Sequence, residues 1–137
     1  MDTDTANGWL TENFADWVRA LEPRVDSMGC SGVVLSIPVN DRIARVGEIV
    51  SGQALTTLAD TAMVIASARH FGAFRPVATV NLDVQFLRPA RGDRISCAAT
   101  LVRSGRFLCF ARAVLTAEPS GKDVATATAT FAVPQTD

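Results

Sequence analysis

Residues 52–70, GQALTTLADTAMVIASARH, decide the fold of this chain. Apolar side chains recur in this stretch at helical spacing and fill most of the remaining circumference, which predicts a helix buried on most sides. Gly72 and Pro76 follow and are expected to end the helix. A chain of 137 residues that is 48% hydrophobic can surround one such helix with one core. We therefore expect a single domain over residues 1–137.

Downstream of this helix the apolar residues follow a period of two, which predicts β-strands. The predicted strands are residues 79–86, 95–101, 107–115 and 124–131, and a further strand upstream of the helix is residues 32–39. Short turns at residues 91–93, 104–105 and 119–121 favour antiparallel hairpins. The sequence thus predicts an α+β fold, in which an antiparallel sheet of about five strands curls around the long helix between about residues 32 and 133.

Residues 1–23 predict an amphipathic amino-terminal helix that ends near Pro23. The apolar positions at helical spacing are Leu10, Phe14, Trp17, Val18 and Leu21. The polar face carries as much acid as base, so we expect this helix to pack on the domain rather than on a membrane. Trp9 and Trp17 are expected to make that packing against the domain or a partner. A core helix covered by one sheet leaves a flank exposed, which predicts a homo-oligomer.

Charge and cysteine content exclude several classes of protein. Thirteen basic and fourteen acidic side chains give a net charge near −1, which argues against nucleic acid as the main partner. Cys30, Cys97 and Cys109 lack the spacing of a metal site, so we expect no metal, no disulfide framework and a reducing cytoplasmic location. The longest apolar run, residues 62–66, is too short to cross a bilayer. His70, the only histidine, is expected to stabilise a helix end rather than to catalyse.

Asp60 and Gly52 are the candidate functional residues of the long helix. An aspartate is rarely buried in a helix without a partner, so Asp60 is either a general base or nucleophile at a crevice, or a structural residue paired with an arginine or hydroxyl at a subunit interface. Gly52 lies where the helix begins, and its N–H group would be free to stabilise an oxyanion. The alternative is that Ser51 only caps the helix and that Gly52 is an ordinary residue of its first turn without a role in catalysis.

Three segments carry a family resemblance. Residues 47–62, GEIVSGQALTTLADTA, and residues 78–90, ATVNLDVQFLRPA, followed by Gly92-Asp93, resemble the hotdog-fold acyl-CoA thioesterases of the phenylacetate-degradation (PaaI) type. The resemblance extends from about residue 32 to residue 133. It implies a hotdog fold, dimers or dimers of dimers with active sites shared across each dimer, and hydrolysis of an acyl-CoA thioester to a free acid and coenzyme A. It implies no cofactor beyond the coenzyme A of the substrate.

The resemblance also assigns roles to individual residues. It places the family's carboxylate at Asp60, its oxyanion-hole glycine at Gly52 and its water-positioning hydroxyl at Thr79. Alternation puts Thr79 in one row with Asn81 and Asp83, so it would reach the site only if that strand end lies between subunits. The implied coenzyme A contacts lie between Phe86 and Arg91, with Arg88, Pro89, Ala90 and Arg91 as the main candidates, and in Arg103, Ser104, Gly105 and Arg106 with the following Phe107 and Leu108. These arginines would either hold nucleotide phosphates or be ordinary solvated turn residues.

Two polar positions depart from the family pattern. Where the family commonly has a histidine and an asparagine, this chain has Ser51 and Arg45. Arg45 would supply a cationic donor to the thioester carbonyl, and Ser51 a weaker hydrogen bond. The sequence therefore supports an acyl-CoA thioesterase, and the competing hypothesis is a non-catalytic acyl-CoA-binding or sensing domain that has kept the cleft.

Overall fold

The computed structural model of the chain describes residues 2–30 and 32–135. The elements in chain order are α1 (Thr3–Asn13), α2 (Asp16–Arg19), β1 (Arg24–Met28), β2 (Gly32–Pro38), β3 (Ala44–Arg45), β4 (Ile49–Val50), α3 (Gly52–Phe71), β5 (Ala78–Phe86), β6 (Arg94–Ser104), β7 (Leu108–Glu118) and β8 (Lys122–Ala132). The main sheet is antiparallel, with the strand order β1-β2-β6-β7-β8-β5, and β3 pairs only with β4. The predicted α+β architecture is confirmed, with six strands in the main sheet rather than about five. Strand β1 escaped prediction because Val25 is its only buried residue.

Helix α3 matches the predicted core helix closely. The Ser51 hydroxyl accepts a hydrogen bond from the Ala54 N–H at 3.2 Å and so caps its start. Gly72 ends it in the left-handed conformation with φ of 77°, and its N–H donates to the Ala68 carbonyl. No helix among residues 2–30 and 32–135 combines the length and apolar character that a membrane crossing requires.

The inner face of the sheet packs on α3 through small and medium side chains. In β8 the inward residues Ala125, Ala127, Ala129 and Phe131 are buried, while the alternate threonines are half-buried or exposed. Small alanines allow the helix to approach the sheet closely. Cys97 belongs to the same core, where burial raises its pKa to about 12 and keeps it a neutral thiol.

One predicted hairpin is wrong. Residues 91–93 do not connect neighbouring strands, because β5 pairs with β8 at the edge of the sheet. Both sides of β6 are already occupied by β2 and β7, with Leu35 opposite Cys97 and Cys97 opposite Leu115. The hairpins predicted at 104–105 and 119–121 do connect β6 to β7 and β7 to β8. Strand β5 is therefore left with one unpaired edge within the chain.

A β-bulge in β5 changes which of its side chains face α3. Thr79 pairs with Phe131 and Asn81 pairs with Thr130, so Val80 is an extra residue. Residues paired across an antiparallel sheet share a face, and Phe131 is fully buried against α3. Thr79 therefore faces the helix, while Asn81 shares the outer face with Thr130. The expectation that Thr79 shares a row with Asn81 is wrong, because simple alternation ignores the bulge.

The amino-terminal segment is two helices rather than one. The expected single helix over residues 1–23 is interrupted at Phe14, which is extended with φ of −107° and packs edge-to-face on Phe74 at 5.9 Å between ring centroids. Trp9 is buried in the core, as expected. Trp17 is 64% exposed in the chain, so it is not packed in the core, and the alternative that it packs against a partner stays a prediction.

Candidate active site

Asp60 and Thr79 meet within one chain, beside the unpaired edge of the sheet. The Thr79 hydroxyl donates a hydrogen bond of 3.2 Å to Asp60 Oδ1. Partial burial raises the pKa of the Asp60 carboxyl, and the hydrogen bond from Thr79 opposes that rise without cancelling it. Among the described residues Asp60 makes no salt bridge. A hydroxyl partner for Asp60 is therefore present within the chain, and an arginine partner across a subunit interface stays a prediction.

Asp60 occupies a flank of α3 that the sheet leaves uncovered. Thr56, Thr57 and Val64 share this half-buried flank, whereas the neighbouring positions Ala59 and Thr61 are buried. A carboxylate on such a flank keeps access to solvent on one side and to the apolar core on the other. That position suits a general base, because partial loss of water strengthens its affinity for a proton.

Gly52 begins α3 at the opposite end of β5. Among the hydrogen bonds of the described residues, the Gly52 and Gln53 N–H groups have no acceptor, as expected in the first turn of a helix. A Cβ atom on Gly52 would lie 3.3 Å from Phe86 Cζ. Glycine therefore keeps the space beside the Phe86 ring open next to an N–H group without an acceptor, which is the environment that an oxyanion donor needs.

A cleft of about 410 Å³ lies beside Gly52, and we call it the arginine cleft. Its lining residues are Arg45, Ile49, Val50, Gly52, Leu55, Phe86, Leu87, Arg88, Pro89 and Ala90. The Val50 N–H donates to the Ala90 carbonyl at 2.9 Å, which holds β4 against the segment after β5. The structure thus brings Arg45, Gly52 and the expected coenzyme A contacts at residues 86–90 together. Ser51 adjoins them, and its hydroxyl accepts from Ala54 and retains its own proton for donation.

The remaining expected coenzyme A contacts lie elsewhere in the chain. The Arg91 Nε donates to the Gly47 carbonyl at 3.3 Å, outside the arginine cleft. Arg103 and Ser104 line a separate cavity of about 360 Å³ together with Arg69 and His70, at the carboxyl end of α3.

The turn that follows Ser104 makes local contacts. The Gly105 N–H donates to the Leu108 carbonyl at 2.7 Å, and the Arg106 guanidinium lies over the Phe107 ring at 5.1 Å. Residues 52 and 69 are about 26 Å apart along the helix axis. The two groups of expected coenzyme A contacts therefore do not meet within one chain.

Gly52 and Asp60 are also kept apart. Eight residues of α-helix separate them by about 12 Å along the axis and about 80° around it. An oxyanion donor and a general base must each lie about 3 Å from the reacting group. One chain thus contains both groups but does not assemble them around one carbonyl.

A second groove, lined partly by a residue that the sequence did not indicate, also reaches Gly52. This groove of about 710 Å³, which we call the tryptophan groove, is lined by Trp17, Gly52, Gln53, Thr56, Thr57 and Phe86. The helical spacing of residues 10–21 predicted a packed Trp17, so no sequence signal placed it here.

Comparison with known proteins identifies the family. The model of the thioesterase superfamily matches residues 47–124, which include Gly52, Asp60 and Thr79. The chain belongs to the thioesterase superfamily. This membership and the fold confirm the hotdog architecture and support thioester hydrolysis in general terms.

Similar proteins come from distant organisms. A Silicibacter sp. TM1040 structure, described provisionally as a thioesterase, superposes with a TM-score of 0.87 at 26% identity, covering 98% of this chain and 93% of that one. A Haemophilus influenzae thioesterase superposes with a TM-score of 0.87 at 20% identity, covering 98% and 92%. A Thermoplasma acidophilum protein whose name proposes an esterase is 23% identical over 94 residues, which cover 69% of this chain and 70% of that one.

Proposed function

We propose that this member of the thioesterase superfamily is an acyl-CoA thioesterase of the PaaI type whose active sites are shared between two copies of the chain. The observation that carries the proposal is the placement of Gly52 and Asp60. One is an unpaired helix-start N–H beside a cleft, and the other is a carboxyl whose pKa burial raises. Their separation of about 12 Å within a chain supports a site that a second copy completes.

The unpaired edge of β5 supplies a means of assembly. This strand has nine residues, most of them exposed, and a free edge of that length is a template for pairing with another strand. Antiparallel pairing of two β5 edges would put the Thr79 end of one copy beside the Phe86 end of the other. Asp60 contacts Thr79, and Gly52 and Phe86 line the same cleft, so the same pairing would bring Asp60 of one copy towards Gly52 of the other.

The chemistry follows from these positions. The acyl carbonyl oxygen accepts a hydrogen bond from the Gly52 N–H, which stabilises the oxyanion as it forms. The ionised Asp60 of the second copy removes a proton from the attacking water and passes it to the sulfur as the C–S bond breaks, so the free acid forms and coenzyme A leaves as its thiol. If Asp60 instead attacks the carbonyl directly, coenzyme A leaves as a thiolate that takes a proton from water, and a water molecule then hydrolyses the acyl–Asp60 anhydride to the free acid. Thr79 holds the Asp60 carboxylate in place. Arg45 reaches the same cleft as Gly52 and supplies positive charge near the carbonyl, while Ser51 contributes a further hydrogen-bond donor.

The two groups of arginines would meet in the same dimer. The turn between β6 and β7 lies at the end of the sheet where β5 begins, since Leu108 pairs with Ala132 and Ala132 pairs with Ala78. Pairing of the β5 edges would carry this turn towards the arginine cleft of the other copy. Arg88 of one copy and Arg103 of the other would then serve one coenzyme A molecule through its phosphates.

The location proposed for this reaction is the cytoplasm. Cys30, Cys97 and Cys109 are all free thiols. Cys30 is exposed, and exposed thiols persist in reducing compartments. A cytoplasmic location would also provide the acyl-CoA pool.

A subunit-mixing experiment tests the shared site. Asp60→Asn removes the base and Gly52→Val fills the space beside the oxyanion donor, so each variant alone should lose at least about 10²-fold in kcat for acyl-CoA hydrolysis. Refolding the two together should restore about a quarter of wild-type activity, because half of the dimers are mixed and each mixed dimer has one intact site. No recovery in a mixture shown to contain mixed dimers would contradict the shared site.

The competing function has its own outcome in the same assay. In this chain Ser51 and Arg45 stand where the family pattern has a histidine and an asparagine. If these replacements have abolished hydrolysis, the chain would be an acyl-CoA-binding or sensing domain. Tight binding of acyl-CoA by the wild-type protein with no release of thiol would support that function instead.

A further inference from the structure

The arginine cleft and the tryptophan groove meet at Gly52 and Phe86 and differ in charge. The arginine cleft contains Arg45 and Arg88 and no acidic residue. The tryptophan groove contains no charged side chain, and its largest surfaces are the rings of Trp17 and Phe86. A thioester of a phosphate-bearing carrier has the same asymmetry on the two sides of its carbonyl. One arm is anionic, and the other has the character of the acyl group.

We propose that Trp17 is a specificity-determining residue, and that the tryptophan groove binds the acyl arm and selects bulky, uncharged, apolar acyl groups. This inference rests on the proposed function and adds the substrate class. The thioester carbonyl lies at Gly52, where the two grooves join. The anionic carrier then extends past Arg45 and Arg88, and the acyl group extends between Phe86 and Trp17.

The exposure of the two aromatic rings supports this assignment. Trp17 is 64% exposed and Phe86 is 54% exposed, although both side chains would gain from burial. An apolar acyl group placed between them removes apolar surface of both rings from water. An acyl group that ends in a carboxylate would lose water there without meeting a cation, which disfavours its binding.

Trp17 is held in position by the short helix α2. Val18 anchors α2 in the core, and the Arg42 guanidinium donates to the Ala20 carbonyl at 3.4 Å at the end of this helix. The match to the thioesterase superfamily begins at residue 47, so Trp17 lies in a segment outside the matched pattern. A specificity determinant is expected in such a segment, because the shared chemistry sits in the matched one.

A panel of substrates tests the proposal. The wild-type protein is assayed with 3-phenylpropionyl-CoA, octanoyl-CoA, acetyl-CoA and succinyl-CoA, and compared with Trp17→Ala, Trp17→Phe and the control Val114→Ala on the outer face of β7. Trp17→Ala should lower kcat/KM about tenfold for the two bulky apolar substrates and less than about twofold for acetyl-CoA. Trp17→Phe should restore most of the loss. Succinyl-CoA should be the poorest substrate in every variant.

Other outcomes overturn the proposal in distinguishable ways. An equal loss for all four substrates, or a weakened dimer in sedimentation, would assign Trp17 to a subunit contact. If Trp17→Ala changes none of the kcat/KM ratios between substrates, Trp17 has no role in substrate selection. If the wild-type protein hydrolyses none of the four substrates, the proposed thioesterase function is refuted. Binding of the non-hydrolysable thioether S-(3-phenylpropyl)-CoA then tests whether the tryptophan groove binds the acyl arm. Tighter binding than that of free coenzyme A, lost in Trp17→Ala, supports the proposal, and equal binding refutes it.

Discussion

Replacing Thr79 with valine would test the contact that distinguishes Asp60 from an ordinary buried carboxyl. Valine has nearly the shape of threonine and keeps the β-branched side chain that β5 favours, so the strand and its bulge should persist. Within residues 2–30 and 32–135, the one hydrogen bond that this substitution removes is that of 3.2 Å from the Thr79 hydroxyl to Asp60 Oδ1. That bond stabilises the ionised form of Asp60, since a hydroxyl donates more strongly to a carboxylate than to a carboxylic acid.

The size of the effect follows from the strength of this bond. A hydrogen bond to a charged group contributes about 1.5–3 kcal/mol, and Thr79 is exposed in the chain, so we take the lower limit. About 1.5 kcal/mol corresponds to roughly a tenfold change in the protonation equilibrium of Asp60. Burial already raises the pKa of this carboxyl, and the substitution should raise it further. The acidic limb of the pH profile should therefore move to higher pH.

The assay is kcat/KM for acyl-CoA hydrolysis as a function of pH. On the acidic limb Thr79→Val should be about tenfold less active than the wild type, and the two should converge at high pH if the hydroxyl acts only through Asp60. Thr79→Ser should resemble the wild type, and Thr128→Val on the outer face of β8 should change nothing. An acidic limb that does not move in Thr79→Val would refute the coupling. A uniform loss at every pH would instead assign the hydroxyl to the attacking water.

Two further predictions concern α3. Because burial raises the Asp60 pKa above its ordinary value of 3.8, the folded protein holds this proton more tightly than the unfolded chain, and the free energy of unfolding falls as pH rises from about 3.8 through the folded pKa. Asp60→Asn should therefore melt at a higher temperature than the wild type at about pH 7, with the difference shrinking towards about pH 4 in calorimetry. Gly52→Ala should lower kcat about 10²-fold with little change in melting temperature, because the 3.3 Å contact is with the movable Phe86 ring. Parallel losses of stability and activity in Gly52→Ala would contradict a local effect at the site.

Hydrophobic periodicity predicts most of the core of this protein. The residues of α3 are apolar nearly all round, and the runs in β6, β7 and β8 alternate over many residues, so both patterns are unambiguous. Strand β1 is different, because an edge strand with one buried residue leaves almost no periodic signal. The local sequence pattern also does not indicate where β5 lies in the strand order of the sheet. A short connection favours a hairpin, and only competition with β2 for the side of β6 excludes it.

The candidate site could be predicted only in part, and the bulge at Val80 shows why. Alternation predicts that Thr79 faces away from α3, while the resemblance to known thioesterases gives it a role beside the carboxylate. The extra residue in the bulge turns Thr79 to the face of the sheet that packs on α3. Thr79 then contacts Asp60 of its own chain, which agrees with the role that the resemblance gives it. The exposed position of Trp17 was not predicted for a related reason. The break at Phe14 changes the helical register on which its packing was predicted.

The geometry of α3 links catalysis to assembly. In the proposed mechanism an isolated chain would hold a thioester at the Gly52 amide, but Asp60 of the same chain is about 12 Å further along the helix, and no side-chain rotation spans that distance. The hydrolysis rate per chain should therefore fall when the protein is diluted below the dissociation constant of the dimer, even at saturating substrate. Asp60 would also lose solvent when the Gly52 end of a second copy approaches it, which would raise its proton affinity further. The same contact would thus complete the oxyanion site of one copy and strengthen the base supplied by the other.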